Sequence, residues 1–173
     1  QRDVRDYLLF GQGACVATIA EVKDPMIETA RIASAGLVCV VPKDHHLASR
    51  KSITPVELAE ETLISFEAST THGVYIEETY RRWDVPRKTA IYVHFVEAAL
   101  SFVTERIGIT ILDAFSAIDC DIHGLVAIPI ENSVSISAYV HVCHLRPRQK
   151  GVDSLINALR DIAAAATNQT EAG

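Results

Sequence analysis

Val103-Thr104-Glu105-Arg106-Ile107-Gly108-Ile109-Thr110-Ile111-Leu112-Asp113-Ala114-Phe115-Ser116-Ala117 is the stretch whose reading decides the fold. It reads as the end of a helix, a glycine-containing turn and a buried strand over 108–112. The strand runs into one carboxylate, Asp113, and then a new helix start. In open α/β sheets, ligands sit outside the carboxyl ends of parallel strands. Asp113 is therefore a candidate ligand contact, and equally a candidate cap of the next helix.

Working outward, the same grammar repeats. Residues 95–105 read as a helix, 89–93 as a strand and 62–66 as another strand. Residues 73–83 form an amphipathic helix with Val74, Ile76, Tyr80 and Trp83 as its apolar positions. Thr54 is a helix N-cap followed by Pro55 at the first helical position, where its missing N–H is harmless. Two apolar runs, 14–20 and 36–42, read as buried strands. A helix end over 4–10 is closed by Gly11 and Gly13. Residues 26–35 are mixed, either extended or a short turn of helix. Beyond the central stretch come a short helix at 115–120, strands at 125–130 and 135–143, and a closing helix at 152–166. That helix spaces Leu155, Ile156, Leu159 and Ile162 on one face. Residues 166–173 are polar and expected to fray.

Alternating strands and helices specify an α/β fold. Residues 47–132 hold a complete strand–helix–strand–helix–strand set, a lobe of their own. Residues 1–46 and 133–165 hold too few elements to close a lobe separately. They form a first lobe together, incomplete at its N-terminus. A chain that starts at Gln1, inside a helix, reads as a fragment.

Composition narrows the function. With 173 residues, 49% of them hydrophobic and 22% charged, the chain fits a soluble folded protein. No apolar run reaches the roughly 18 residues needed to span a bilayer, and no signal peptide opens the chain. A net charge of −6 argues against this piece gripping a nucleic-acid backbone by itself. Cys15, Cys39, Cys120 and Cys143 make no C-x-x-C pair, so they read as reduced, mostly buried thiols of a cytoplasmic protein. His45 and His46 are adjacent, and His141 and His144 lie three apart off any clear helix. Neither spacing reads as a metal site. Hydroxyls lack a neighbouring base, so no catalytic residue is assigned.

Several pieces, in order, resemble the effector-binding domain of LysR-type transcriptional regulators. One is Leu37-Val38-Cys39-Val40-Val41-Pro42-Lys43-Asp44-His45-His46-Leu47-Ala48, where that family has a His-Pro-Leu-Ala run and His46 replaces the proline. A second is Ile53-Thr54-Pro55-Val56-Glu57-Leu58-Ala59 followed by Leu63-Ile64-Ser65-Phe66. The third is 103–117, where Arg106 replaces a usual glycine. Leu125-Val126-Ala127-Ile128-Pro129-Ile130 and the terminal helix complete the order, covering residues 4–162. Asp113-Ala114-Phe115-Ser116-Ala117 is most similar to members that answer to amino acids and opines, with Ala114 in place of their proline.

The resemblance implies a two-lobed, type 2 periplasmic-binding-protein-like fold with the first lobe truncated. It implies a small-molecule effector, a carboxylate or amino-acid-like zwitterion, bound between the lobes. DNA would be bound only through a domain absent from this chain, and the partner would be a second copy, as homodimer or tetramer. No cofactor, metal or membrane is implied. Placed on that frame, Ser69, Thr70, Thr71 and His72 precede a helix whose N-terminus suits a carboxylate. Helix capping alone needs one hydroxyl, not three in a row. His94 and Phe95 open the next helix at the same sheet edge, and Thr18 and Glu21 close the first-lobe strand. Asp113, with Glu21, would face a cationic group. His94 reads equally as a structural residue and Glu21 as a solvated one. Two other classes stay open: a solute-binding protein of a transporter, and an enzyme on the same scaffold.

Overall fold

A computed structural model describes residues 2–171, with side chains from 4 to 164. The chain divides into two compact units, one built on Ala35–Ile136 and one on Gln1–Ser34 with Ser137–Thr167. Each is described by itself.

The larger unit is a five-stranded sheet. Its strands are β3 (Leu37–Pro42), β4 (Thr62–Phe66), β5 (Lys88–Val93), β6 (Ile109–Asp113) and β7 (Leu125–Pro129), in the order β5-β4-β6-β3-β7. β4 runs parallel to both β5 and β6, whereas β3 runs antiparallel to β6 and β7. The helices are α2 (Pro55–Glu60), α3 (Thr71–Trp83) and α4 (Val96–Thr104). α3 carries the chain from β4 to β5, and α4 from β5 to β6. Each connects parallel strands, so each must cross over the sheet. The carboxyl ends of β4, β5 and β6 therefore meet at one edge, and α3 and α4 begin there.

Local sequence explains these boundaries. Thr54 caps α2 by accepting from the Glu57 N–H, and Glu57 reaches back to the Thr54 N–H, a reciprocal box with Pro55 in the first turn. α3 ends on Asp84 in the left-handed region, at φ 53°. After α4, Arg106 adopts φ 58° where a glycine would be unstrained, as its place after the helix predicts. β3 and β6 are buried along their whole length, which accounts for their unbroken apolar runs.

The smaller unit has a three-stranded sheet, order β1-β8-β2, from β1 (Val16–Thr18), β2 (Ile27–Ala35) and β8 (Ile136–Cys143). α1 (Arg2–Leu9) and α5 (Val152–Glu171) complete it. Leu8, Val22, Ile27 and Cys143 form one buried cluster, and Val140, Val142, Val152 and Ile156 another.

The structure corrects several expectations. The expected lobe boundary at 46/47 falls instead at 34/35, because β3 pairs with β6 and β7 in the larger unit. The other boundary, expected at 132/133, falls at 136/137. Of residues 26–35, Ile27–Ala35 take the extended one of the two alternatives. The short helix at 115–120 is replaced by turns and a 3₁₀ segment, Cys120–His123. The closing helix runs on through most of the expected frayed tail, to Glu171; residues 172 and 173 lie outside the described residues. All four cysteines are free thiols, three of them buried. No helix among the described residues is long and apolar enough to cross a membrane.

Candidate functional site

The site is built by the parallel strands of the larger unit. β4 ends at Phe66 and β5 at Val93, and the Glu67 N–H donates to the Val93 carbonyl at 3.1 Å, which ties the two strand ends together. Beyond Phe66 the chain makes one tight turn into α3. Thr70 is the N-cap: its hydroxyl accepts from the Gly73 N–H at 3.0 Å and donates to the Glu67 carbonyl at 2.7 Å. This hydroxyl is fully used by the turn. Ser69 and Thr71 make no such hydroxyl bonds among the described residues, and no acidic residue occupies the first turn of α3. That helix end keeps its positive character.

Glycine at 73 has a steric cause. A Cβ there would lie 2.0 Å from the Glu67 carbonyl oxygen and 2.6 Å from its carbon. The backbone of α3 thus packs directly on the backbone leaving β4.

His72 lies inside this turn, stacked on Phe66 with ring centroids 4.9 Å apart. Its Nε2 is 2.8 Å from Oδ2 of Asp113, the last residue of β6. Asp113 is completely buried. The Ser116 hydroxyl donates to the same oxygen at 2.7 Å, and the Ser116 N–H donates to Oδ1 at 3.0 Å. Burial pushes the Asp113 carboxyl up, but the His72 and Ser116 hydrogen bonds outweigh it and hold the group below the ordinary carboxylate range. Of the two readings the sequence allowed, Asp113 meets the cap, since it accepts from Ser116 in the following turn, and its buried carboxylate is turned to His72 rather than to solvent. The carboxylate holds His72 by Nε2.

His94 and Phe95 follow β5 at the same edge. His94 Nε2 lies 3.3 Å from Glu67 Oε2, both groups about half exposed. Phe95 is the N-cap of α4, offers no side-chain cap and is 71% exposed. Beside the turn is a cavity of about 390 Å³ lined by Phe66, Glu67, Ser69, Gly73, Arg87 and Tyr92 among others. Arg87 is paired with Glu77 at 2.9 Å and stands over the Tyr80 ring.

Seven of the predicted residues, Ser69, Thr70, Thr71, His72, His94, Phe95 and Asp113, thus belong to this unit and lie at one sheet edge. Glu67 and Ser116 were missed. The signal for both was present in position, directly after a strand and in the turn after Asp113. Thr18 and Glu21 belong to the other unit. The Thr18 hydroxyl donates to the Ala20 carbonyl at 2.6 Å and lies 2.8 Å from Nε2 of His141. Thr29 lies 2.9 Å from the other ring nitrogen. Burial holds His141 below the ordinary imidazole range, against weaker opposing effects of the Ala20 backbone and Glu21. Glu21 is half exposed and 3.3 Å from Lys23.

Comparison with known proteins adds a second, independent line. The family described as the LysR substrate binding domain matches residues 14–164. The transcriptional activator protein LysR of Escherichia coli (strain K12) is 25% identical over 131 residues, 76% of this chain and 41% of that protein. A regulator of Bacillus subtilis (strain 168), the uncharacterized HTH-type transcriptional regulator YybE, is 28% identical over 105 residues, 61% of this chain and 36% of that protein. The chain therefore spans well under half the length of these curated relatives. Among solved structures, the effector-binding domain of QuiR in complex with shikimate superposes with a TM-score of 0.68 at 19% identity, covering 98% of this chain and 78% of that one. The regulatory domain of CcmR from Synechocystis PCC6803, in complex with 2-PG, gives 0.69 at 15% identity, covering 96% and 79%. At such identities these likenesses establish the fold, which is that of the LysR effector-binding domains.

Proposed function

Since the chain belongs to the LysR substrate-binding domain family, we propose that it is the effector-sensing portion of a cytoplasmic transcription regulator. Its effector is a small carboxylate, with amino-acid-like zwitterions included. The observation that carries the site is the convergence at the carboxyl ends of β4, β5 and β6. There an acid-free helix start, a histidine held by a buried carboxylate and a His–Glu pair meet at one edge.

The chemistry follows from the donors available. The effector's carboxylate is received by the N–H groups at the start of α3 and by the hydroxyls of Ser69 and Thr71. Attraction to the helix dipole and direct hydrogen bonds act together there. Thr70 shapes this turn, and Asp113 acts by fixing His72. A cationic group on a zwitterion faces Glu67, a carboxylate of the edge that reaches solvent. Binding does no bond chemistry. It acts on the regulator only through differential affinity for alternative arrangements of the whole protein. DNA contact belongs to another part of the full-length regulator, and a net charge of −6 fits that division of labour.

A thermal-shift screen with amino acids, opines and organic acids tests this reading. A ligand at 100 times its dissociation constant adds about 2.7 kcal/mol of stability. With a hit in hand, Thr71→Val is expected to weaken affinity about 10- to 100-fold, since a hydrogen bond to a charged group contributes roughly 1.5–3 kcal/mol. Its melting temperature should barely move. Thr70→Ala does the reverse, losing about 1 kcal/mol of stability through the cap. Unchanged affinity in Thr71→Val and Ser69→Ala together would remove this edge as the effector site.

A further inference from the structure

The opposite, amino-terminal edge of the same sheet carries a separate cluster. β3 leaves the sheet at Pro42, and His45 and His46 lie in the turn that follows. Glu61 is the residue between α2 and β4. His46 Nε2 lies 3.0 Å from Glu61 Oε1, and His45 Nε2 lies 3.7 Å from Oε2. The two imidazole centroids are 4.4 Å apart, and the three potential ligand atoms all fall within 4.8 Å of one another. Among the described residues this is the only such group of three. It opens on a cavity of about 430 Å³ that also touches Asp44, Arg106 and Gly108.

We propose that His45, His46 and Glu61 form a binding site for a divalent transition-metal ion of the zinc class. Zinc takes histidine nitrogen and carboxylate oxygen at about 2.0–2.2 Å in a tetrahedron. Two donors of such a tetrahedron stand about 3.3 Å apart, by the geometry of those bonds. The two His–Glu separations bracket that spacing, so small side-chain rotations admit the ion. Two imidazoles and one carboxylate suit zinc, nickel or copper, whereas magnesium and calcium require oxygen ligands throughout. Three protein ligands leave a fourth position for water on the cavity side.

The local charges fit a cation. Glu61 has no lysine or arginine partner among the described residues, and its only ion-pair partners are the two histidines. Arg106 is the nearby cation, and it is paired with Asp44. One feature limits the affinity. His45 Nδ1 accepts from the Leu47 N–H at 3.3 Å. Ligation through Nε2 places the ring proton on Nδ1 and gives up that long contact, so binding in the micromolar range is expected.

Calorimetric titration of the untagged, metal-free chain with Zn²⁺ tests the site, beside His46→Ala and Glu61→Gln. His46 is largely exposed, with 69% of its side chain open to solvent, so its removal leaves the fold intact. One equivalent should bind to the unsubstituted chain, and each substitution should weaken binding at least tenfold. Should Glu61→Gln fail to fold, His46→Ala decides alone. Cobalt(II) should show bands of a nitrogen–oxygen site without a thiolate charge-transfer band. Unchanged affinity in His46→Ala, a thiolate band, or no binding at millimolar Zn²⁺ would each overturn the proposal.

Discussion

At the scale of single residues, Asp113 shows what a sequence reveals and what it withholds. Its position at a strand's carboxyl end was legible from the apolar run before it and the new turn after it. Its enclosure was not, because His72 lies 41 residues away and only the crossover through α3 brings it to 2.8 Å. An exposed aspartate would tolerate Asn. A fully buried one that accepts three hydrogen bonds does not, since the amide cannot accept from His72 and Ser116 at every position. Asp113→Asn is therefore expected to cost about 3 kcal/mol at pH 7, as removal of one partner from a buried pair does. The pH dependence has a definite sign. The folded carboxyl titrates below its unfolded value of about 3.9, so its contribution is complete above that value. It is lost as pH falls through the lower folded value. Urea melts of both proteins should differ at pH 7 and converge toward pH 2. A gap that persisted or widened in acid would mean that the ionised carboxylate is not what stabilises the fold there. His141 carries a related lesson. It alternates with the apolar Val140 and Val142 along β8, yet it is buried, and Thr18 and Thr29 on both neighbouring strands place hydroxyls within hydrogen-bonding distance of its two nitrogens.

At the scale of elements, short-range chemistry was the readable part. Thr54 and Pro55 announced α2, and the Gly-containing turn before β6 announced the strand. Segments without a local punctuation mark were harder. β2 spells Ile-Glu-Thr-Ala-Arg-Ile-Ala-Ser-Ala, with no strict period, and its extended form depends on partners elsewhere in the chain. Gly73 illustrates the limit from the other direction. It stands three residues after Thr70, where the sequence reads as an ordinary first turn and Ala would be the better helix former by about 1 kcal/mol. The structure reverses that preference. A Cβ placed 2.0 Å from the Glu67 carbonyl must push α3 away from the end of β4, and flexible atoms are not available to yield. Gly73→Ala should thus lower stability by about 1–3 kcal/mol, the usual range for overpacking, despite the propensity gain. It should also weaken effector binding, because the N–H groups of the turn move. A melting temperature equal to or above that of the unsubstituted chain would show that α3 is free to shift.

At the scale of the molecule, the chain divides at 34/35 and 136/137, where the sequence suggested 46/47 and 132/133. β3 is apolar at all six positions and buried throughout, so its pattern fits a strand of either sheet. What assigns it is pairing with β6 and β7, 70 or more residues further along the chain, and such long-range pairing leaves no mark in local composition. Oligomeric state belongs to this scale too. We expect the chain to pair with a second copy in an isologous, two-fold arrangement that includes the outer face of α3. That helix turns Ile76 and Tyr80 inward and leaves Val74 55% exposed, beside the charged Glu77, Glu78 and Arg81. Two-fold symmetry makes every substitution count twice. Covering a half-exposed valine contributes about 1 kcal/mol per copy, so about 2 kcal/mol per dimer, or roughly 30-fold in dissociation constant. Val74→Glu adds like charge to the acidic pair Glu77 and Glu78 on both copies and should exceed that loss. The folded unit itself should be unaffected, because the side chain points to solvent. Sedimentation equilibrium on both proteins, with melting measured in a range where each is monomeric, separates the two effects. Identical association in the two proteins would exclude α3 from the interface, and a chain that stays monomeric at high concentration would exclude self-pairing through this domain.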